Sequence, residues 1–299
     1  MQRPHIPVLL NEVIDGLALE SGNVVVDGTV GFGGHAALIC EAIGDGGTLL
    51  AIDTDAQALR AAEQYLRDFP AHKFFIEGNF REIRELVREK DINRVDAVLL
   101  DIGMSSFQLD EPGRGFSFRR DEPLIMTLSS NLDAPLTAMD LLNDLSASQL
   151  ADIIYAYGEE KFSRQIAAAI IEARELAPIK TTGQLVKIIE EAVPHWYRAR
   201  KIHPATKTFQ ALRIAVNDEL DSLKLGLEEA WELLAIGGRL AVISFHSLEA
   251  RIVKNFYIKK KQEGLGLIMT KHAVKPSREE AKANPRSRSA ELRIIKKII

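Results

Sequence analysis

Carboxylates and glycines at regular positions are the residues of this 299-residue chain whose types could do chemistry. Asp27 opens a glycine-rich loop that contains Gly31, Gly33 and Gly34 and ends at His35. Glycine lets backbone approach a ligand closely, and a helix that starts after such a loop offers free N–H groups to an anionic or polar ligand. The loop therefore indicates a nucleoside cofactor bound at the edge of a parallel sheet.

Acidic and aromatic residues at the ends of later apolar runs extend this pattern. Asp53 ends the second run, where its carboxylate suits two ribose hydroxyls, and Phe80 follows the third run, where its ring could lie beside an adenine. Asp101 ends the fourth run. Because parallel strands end at one edge of a sheet, we expect these side chains to line a single ligand site.

Two cofactors fit the glycine loop. The stretch Gly31–Ala36 matches G-x-G-x-x-A, which is typical of dinucleotide binding, so NAD is one alternative. S-adenosylmethionine is the other, because Asp27 could receive an amino group that NAD lacks. Phe80 could instead pack against a helix and Asp101 could cap one. Asp27, Phe80 and Asp101 all fall at the carboxyl ends of predicted strands, and this shared position favours S-adenosylmethionine.

Short apolar runs alternate with helical patterns along the chain, which predicts an α/β fold with a doubly wound parallel sheet. The predicted strands are Val24–Asp27, Thr48–Asp53, Phe74–Ile76, Val95–Asp101 and Arg239–Phe245. Two last strands, Leu267–Ala273 and Leu292–Ile298, are predicted as a terminal hairpin.

One interval, from Asp101 to Gly238, is far longer than the roughly 30 residues of an ordinary crossover. Capping-box patterns at Ser146–Gln149 and Thr181–Gln184 predict helices inside it. A long helix, Thr206–Leu234, is expected to return the chain to the sheet. The resulting domain boundaries are residues 1–133 and 204–299 for a discontinuous sheet domain and residues 134–203 for an inserted helical domain.

Charge is distributed unevenly along the chain. The net charge is −4, yet the part from Arg251 onward holds 14 Lys and Arg against 4 Asp and Glu. A basic end on an acidic protein fits a polyanionic partner, although a solvated terminal segment would look the same. Cys40 is the one cysteine, which excludes a disulfide framework and a Cys-rich metal site. No stretch reads as a membrane span or a signal peptide, so a cytoplasmic protein is expected.

Several unusual polar runs occur in an order that resembles one family from end to end. They are His5–Leu10, Asp27–His35, Asp101–Ser106, Gln108–Asp110, Arg114–Phe118, His203–Thr206, Thr208–Arg213, Ile243–Glu249 and Arg286–Ala290. The chain resembles the bacterial 16S ribosomal RNA cytosine-N4 methyltransferases, which modify a cytidine at the decoding centre. The resemblance implies a class I, Rossmann-like methyltransferase sheet with a helical insertion, S-adenosylmethionine as cofactor, and 16S rRNA or the small ribosomal subunit as partner.

The resemblance also implies which residues line the cofactor site. They are Gly33, Gly34, His35, Asp53, Phe80, Asp101 and Gln108. Asp101 is the candidate catalytic residue, because an acceptor for the N–H of the cytosine amine would orient it; a backbone carbonyl in Ile102–Met104 is the alternative. Phe107, Phe116 and Phe118 are candidates for stacking on the target base, although each could equally serve ordinary packing.

Basic residues give candidates for RNA contact. They are Lys201, Lys207, Arg213, His246, Arg286 and Arg288, for which solvated surface or a structural hydrogen bond is the alternative. His35 has no second ligand at metal spacing, so no metal is expected. The oligomeric state, monomer or homodimer, stays open. Ile125 and Thr127 stand where the family usually has an acid and a base, which bears on the loop near them.

Overall fold

A computed structural model describes residues 7–103, 112–128 and 136–299 of the chain. The chain divides into two compact units. One combines Met1–Gly103 with Leu220–Ile299, and the other is Met104–Glu219. We refer to them as the sheet unit and the helical unit.

The sheet unit is built on a seven-stranded sheet with the order β3-β2-β1-β4-β5-β7-β6. Its strands are β1 Val24–Asp27, β2 Thr48–Asp53, β3 His72–Glu77, β4 Val95–Asp101, β5 Leu234–Ser244, β6 Gly266–Ile268 and β7 Glu291–Lys297. Strands β1 to β5 pair in parallel, whereas β7 runs antiparallel between β5 and β6. The predicted α/β sheet is confirmed, and so is the antiparallel pairing of the last two strands.

Both faces of this sheet are apolar. Neighbouring residues of a strand point to opposite sides, and consecutive residues of these strands are apolar. Val25 and Leu49 belong to the core on one face, and Val26 and Leu50 belong to the core on the other. All four side chains are fully buried. Helices pack on both faces, as a doubly wound sheet requires.

The helices of the sheet unit fall into two layers. They are α1 Leu10–Leu17, α2 Gly34–Ile43, α3 Ala56–Tyr65, α4 Ile83–Arg88, α11 Glu219–Leu233, α12 Ser247–Gln262 and α13 Arg278–Ala283. The first three contribute to one core, and α4, α11 and α12 contribute to the other. In the ranges that the structure describes, no helix combines the length and apolar character needed to cross a membrane.

The helical unit has its own apolar core. Its helices are α5 Ala138–Asp144, α6 Ala147–Gly158, α7 Ser163–Leu176, α8 Thr182–Ala192, α9 His195–Arg198 and α10 Thr206–Asn217. The predicted capping boxes start α6 at Ser146 and α8 at Thr181. Leu124 and Met126, together with Phe209 and Leu212 of α10, pack in the same core, so the unit is wider than the predicted insertion of residues 134–203.

The prediction of one continuous helix over Thr206–Leu234 is wrong. Asp218 adopts a left-handed conformation with φ of 49° and separates α10 from α11. The two helices bury their apolar stripes in different cores, Leu212 in the helical unit and Leu223 in the sheet unit. The apolar pattern of the sequence continues without a break from α10 to α11, so it did not reveal that the two helices belong to different units.

Candidate functional site

Three aspartates end adjacent strands of the sheet unit. Asp27, Asp53 and Asp101 are the last residues of β1, β2 and β4, and these strands lie side by side in the order β2-β1-β4. Because the strands are parallel, their carboxyl ends share one edge of the sheet. The structure thus brings together the three carboxylates that the sequence singled out.

The glycine loop after β1 is tied to the strands on both sides. The N–H of Gly28 donates to the carbonyl of Leu99, and the N–H of Val30 donates to the carbonyl of Ile52, each at 2.9 Å. Gly31 and Gly33 have φ of 52° and 84°, a region that side chains with a Cβ rarely adopt. The loop is therefore a fixed part of the sheet edge.

Helix α2 begins directly after this loop. Gly33 occupies the N-cap position and has no side chain with which to cap the first turn. A Cβ on Gly34 would lie 2.3 Å from Cγ of Pro7, so only glycine fits this close approach. Uncapped N–H groups at a helix start can hold a polar or anionic group of a ligand.

Asp27 is buried, with 1% of its surface exposed. Its Oδ1 accepts the N–H of Thr29 at 3.2 Å. The pKa of Asp27 is raised to about 8: burial is the main cause, the N–H of Thr29 opposes it, and the charges of Asp101 and Asp53 add to the increase. A carboxylate whose charge is so poorly compensated favours a cationic partner.

Asp53 holds the loop and the next helix together. Its Oδ2 accepts the N–H of Gly31 at 2.8 Å, and its Oδ1 accepts the N–H of Asp55 at 2.9 Å. Burial raises the pKa of Asp53, while these backbone N–H groups lower it. Each carboxylate oxygen can accept a second hydrogen bond, so this arrangement still accommodates ribose hydroxyls.

Asp101 is the carboxylate with an unmatched acceptor. Its Oδ1 is buried and has no hydrogen-bond partner among the described residues, while its Oδ2 lies 3.7 Å from Nδ1 of His35. The pKa of Asp101 is raised to about 7: burial is the main cause, the backbone N–H of Gly103 opposes it, and the charge of Glu249 adds to the increase. The N–H of Asp101 donates to the hydroxyl of Thr29 at 2.7 Å, which fixes the strand end against the glycine loop.

His35 and Thr29 show what sequence reasoning did not find. His35 lies in α2, 7% exposed, and its Nε2 is 2.9 Å from the carbonyl oxygen of Val8. The resemblance placed it at the cofactor, but not beside Asp101. Thr29 received no role, although a hydroxyl two residues after Asp27 is the signal that could have suggested one.

The electrostatics of this edge decide between the two cofactors. Asp27, Asp53 and Asp101 are close enough for their charges to raise the pKa of Asp27. A dinucleotide would bring a pyrophosphate, whose negative charge would raise the pKa values of these carboxyls still further. S-adenosylmethionine brings a sulfonium and an ammonium group, which they attract. The residues present therefore fit S-adenosylmethionine.

Phe80 lies in a single 3-10 turn, Phe80–Glu82, and its side chain is half-buried. A Cβ on Gly226 of α11 would lie 2.4 Å from Cδ2 of the ring, so this edge of the ring packs against the helix. A Cβ on Gly28 would lie 3.3 Å from Cβ of Phe80, which places the residue beside the glycine loop. Contact between the ring and an adenine stays a prediction.

Some predicted residues cannot be placed. Gln108, Phe107 and Met104 lie outside the described residues. Phe118, by contrast, stacks on His203 with ring centroids 4.7 Å apart and meets Phe209 edge-on at 5.2 Å. The ring of Phe118 is thus used in the packing of the helical unit.

An aromatic residue that was not considered lies beside Gly103, two residues after Asp101. Phe245 follows β5, and a Cβ on Gly103 would lie 2.4 Å from Cε2 of its ring. The N–H of Phe245 donates to Oε2 of Glu249 at 2.7 Å. Its position directly after a strand, in the run Ser244–His246, was the signal available in the sequence.

His246 caps helix α12. Its side chain accepts the N–H of Glu249, and its Nε2 lies 3.0 Å from Oε1 of the same residue. His246 is 12% exposed and Glu249 is 2% exposed. The structure provides the structural hydrogen bond that was the alternative for His246, and an RNA contact stays a prediction.

The other basic candidates differ in how they are held. Arg213 forms a bidentate ion pair with Glu219, at 2.8 and 2.9 Å, and Lys207 donates to the carbonyl of Glu159. Lys201 of the helical unit is exposed, as are Arg286 and Arg288 of the sheet unit. Contacts between these residues and RNA stay predictions.

The sheet, with β7 antiparallel between β5 and β6, and the carboxylate-lined glycine loop define a class I, Rossmann-like methyltransferase whose cofactor is S-adenosylmethionine. The sequence model of the MraW methylase family matches residues 2–298. The chain therefore belongs to the MraW methylase family.

Curated relatives support this assignment over the whole chain. The chain is 42% identical to "Ribosomal RNA small subunit methyltransferase H" of Brevibacillus brevis, with 98% of each protein covered. It is 48% identical to the protein of the same name from Deinococcus radiodurans, with 97% of the chain and 88% of that protein covered. A solved rRNA methylase from Streptococcus thermophilus aligns over 100% of this chain and 99% of its own, at 13% identity and a TM-score of 0.45.

Proposed function

We propose that the chain transfers a methyl group from S-adenosylmethionine to the exocyclic N4 amine of a cytidine in 16S ribosomal RNA, at the decoding centre, in the cytoplasm. The observation that carries the proposal is the buried Oδ1 of Asp101, which has no hydrogen-bond partner in the described part of the chain. The name of the relatives supports small-subunit RNA as the substrate.

Asp101 would act on the amine of the cytosine. The lone pair of this amine is delocalised into the ring, so the amine is a poor nucleophile until an acceptor orients its N–H. The ionised carboxylate of Asp101 would accept that hydrogen bond, would stabilise the positive charge that develops on nitrogen, and would take the proton that the nitrogen loses once it carries the methyl group. S-adenosylmethionine supplies an already activated methyl group, so that alignment and exclusion of water are the main tasks of the protein.

The other carboxylates would hold the cofactor. Asp53 has acceptor capacity left for the ribose hydroxyls, and Asp27 offers a buried carboxylate to the amino group. Because burial raises the pKa of both carboxyls, a ligand with positive charge is favoured beside them. Because Thr29 and Gly31 tie the loop to β4 and β2, these groups are held in place before the ligand binds.

Phe245 would support the target base. Its ring lies against Gly103, two residues after Asp101, at the carboxyl end of β5. An aromatic ring beside the acceptor carboxylate can stack on a base and so orient its amine. Phe245 thus joins Phe107 and Phe116 among the candidates for this role.

Cys40 argues against methylation at carbon 5 of cytosine. That reaction needs a thiolate that attacks the ring, and Cys40 is the one cysteine of the chain. It is fully buried in α2, and burial raises the pKa of its thiol to about 11. A protonated thiol inside an apolar core is a poor nucleophile.

The test is methyl transfer from labelled S-adenosylmethionine to naked 16S RNA and to assembled small subunits, with the product nucleoside identified by mass spectrometry. We expect N4-methylcytidine, and we expect Cys40→Ser to retain the transfer. A 5-methylcytidine product, or loss of transfer in well-folded Cys40→Ser, would contradict the direct-amine route. Label found only on another RNA site or on a small molecule would replace the proposed substrate.

A further inference from the structure

A cluster of three aromatic rings lies at the surface of the helical unit. Phe162 precedes α7, and Trp196 and Tyr197 belong to α9. The Phe162 and Trp196 ring centroids are 6.0 Å apart, the Phe162 and Tyr197 centroids are 4.9 Å apart, and the Trp196 and Tyr197 centroids are 5.7 Å apart. The rings meet edge-on, which is a favourable arrangement and limits their motion.

The inner part of this cluster is anchored. Tyr197 is 4% exposed, and its hydroxyl donates to Oε2 of the buried Glu160 at 2.5 Å. Oε1 of Glu160 accepts the N–H of Phe162 at 2.9 Å. The ring of Trp196 packs against Phe162 and Tyr197 and is 56% exposed. A large ring that is both exposed and held in place loses little entropy when it binds a partner.

One cation lies over the exposed ring of Trp196, and another lies over the neighbouring ring of Tyr197. The ammonium of Lys161 lies 4.4 Å from the centroid of Trp196, and the guanidinium of Arg200 lies 5.1 Å from the centroid of Tyr197. Residues 195–201 hold three Lys and Arg and no acidic residue. The surface combines a flat apolar ring with positive charge, which is the chemistry that single-stranded nucleic acid requires.

Tyr155 shows that exposure alone does not make such a surface. This aromatic residue of α6 is 65% exposed, more than Trp196. It lies three residues after Asp152, an exposed acidic residue of the same helix. The negative charge beside Tyr155 would repel phosphate groups, whereas the charge around Trp196 would attract them.

We propose that Trp196 stacks on an unpaired base of the RNA substrate, while Lys161 and Arg200 contact the phosphates on either side. This inference rests on the proposed function, because it assigns a surface to the RNA of that reaction. Cation–π contact with Lys161 does not prevent it, since a single-stranded RNA binding site commonly combines stacking rings with cations.

Fluorescence gives a direct readout, because the chain has two tryptophans and the other, Trp231, is 2% exposed. A single-stranded RNA of about 12 nucleotides, within the usual site sizes for such surfaces, is titrated into the full chain. We expect quenching of the tryptophan emission, and we expect that Trp196→Phe, which leaves only Trp231, removes this quenching. A duplex of the same sequence has its bases already stacked and should not quench.

Affinity for the same RNA provides the second readout. We expect Trp196→Ala to bind about 5- to 150-fold more weakly, the range for loss of one stacked base. Trp196→Phe should recover part of that loss, because phenylalanine keeps a ring. Tyr155→Ala is the matched control and should bind as the unmodified chain does. Far-ultraviolet circular dichroism confirms that each variant is folded.

The outcomes separate this inference from the proposed function. If the unmodified chain methylates RNA but shows no quenching, or if Trp196→Ala and Tyr155→Ala bind equally well, the surface is not an RNA site. Quenching by an acidic peptide in place of RNA would likewise overturn the inference and assign the surface to a protein partner. If the unmodified chain methylates no RNA, the proposed function fails by itself.

Discussion

His35 directs one ring nitrogen toward the carbonyl of Val8 and the other toward the carboxyl of Asp101. Nε2 of His35 lies 2.9 Å from the carbonyl of Val8, which can only accept, so Nε2 carries a hydrogen. Nδ1 of the same ring then faces Oδ2 of Asp101 at 3.7 Å. A neutral ring and an ionised carboxylate would place two acceptors opposite each other. A proton on the Asp101 carboxyl removes this unfavourable pairing, and burial raises the pKa of Asp101 in the same direction.

Methyl transfer should increase as pH rises through about 7, the pKa to which burial raises Asp101. Below that pH the carboxyl holds a proton and cannot accept the N–H of the amine, whereas above it the carboxylate can. The measurement is the initial rate between pH 5.5 and 8.5 with S-adenosylmethionine and RNA both well below their KM values, because the rate then reports the free enzyme. A flat profile would exclude Asp101 as the acceptor.

Replacement of Asp101 tests the same role by a second route. Asp101→Ala should lower kcat by about 100-fold or more, the scale of a lost transition-state acceptor. Asp101→Asn keeps an acceptor oxygen and should retain more activity, and its profile should no longer rise near pH 7, because an amide does not titrate. Equal activity in Asp101→Ala and the unmodified chain, both folded, would contradict the mechanism.

Asp53→Ala should weaken S-adenosylmethionine binding by roughly 1.5–3 kcal/mol, the value of hydrogen bonds to a charged group. The side chain also accepts the N–H groups of Gly31 and Asp55, so part of the loss comes from the loosened loop. Calorimetric titration measures the affinity. Asp55→Ala, which removes the cap of α3 but no proposed ligand contact, is the control. Unchanged affinity in folded Asp53→Ala would rule out the ribose contact.

Asp27→Asn should stabilise the ligand-free protein at alkaline pH. The pKa of Asp27 rises from its usual 3.8 to about 8 on folding, so the folded state prefers the neutral carboxyl. The stability contributed by this group is complete below pH 3.8 and is lost as pH rises through 8. Asparagine is neutral throughout and can still accept the N–H of Thr29. The difference in Tm, variant minus unmodified chain, should grow by several degrees between pH 5 and 8.5.

Thermal scans across that pH range without S-adenosylmethionine provide the measurement for Asp27. The same substitution should weaken cofactor binding, because it removes the charge offered to the amino group. A Tm difference that stays constant with pH would show that Asp27 ionises as easily in the folded chain as in the unfolded chain.

Charge reversal at Arg286 and Arg288 should weaken RNA binding and reduce its dependence on salt. Both side chains are exposed, and removing one cation from a phosphate lowers the slope of log affinity against log salt by about 1. Reversal of Arg278 and Lys282, exposed residues of α13, makes the same change in net charge and is the control. S-adenosylmethionine binding should not change in either variant. Equal salt slopes for the two double variants would show that only overall charge matters.

The strand ends and the glycine loop could be predicted from the sequence because their signals are local. Asp27, Asp53 and Asp101 each end a short apolar run, and the parallel sheet brings such ends to one edge. The family resemblance added residues that no local pattern identifies, such as His35. Capping boxes were equally reliable, since a few consecutive residues determine them.

Contacts between distant residues could not be predicted. The distances from His35 to Asp101, and from the ring of Phe245 to Gly103, depend on how a helix or strand packs after folding. The break at Asp218 escaped detection because an apolar period continues across it. Periodicity shows that a face is buried, but it does not show which core buries it.

The position of β7 has a consequence for the order in which the chain folds. Residues Glu291–Lys297 form an interior strand, with β5 on one side and β6 on the other. During synthesis, β1 to β4 can pair long before β7 is made. Until then, one edge of β5 is unpaired and β6 has no strand to pair with. We expect the sheet to be completed only when the last residues of β7 have left the ribosome, so a chain truncated before Glu291 would expose a strand edge prone to aggregation.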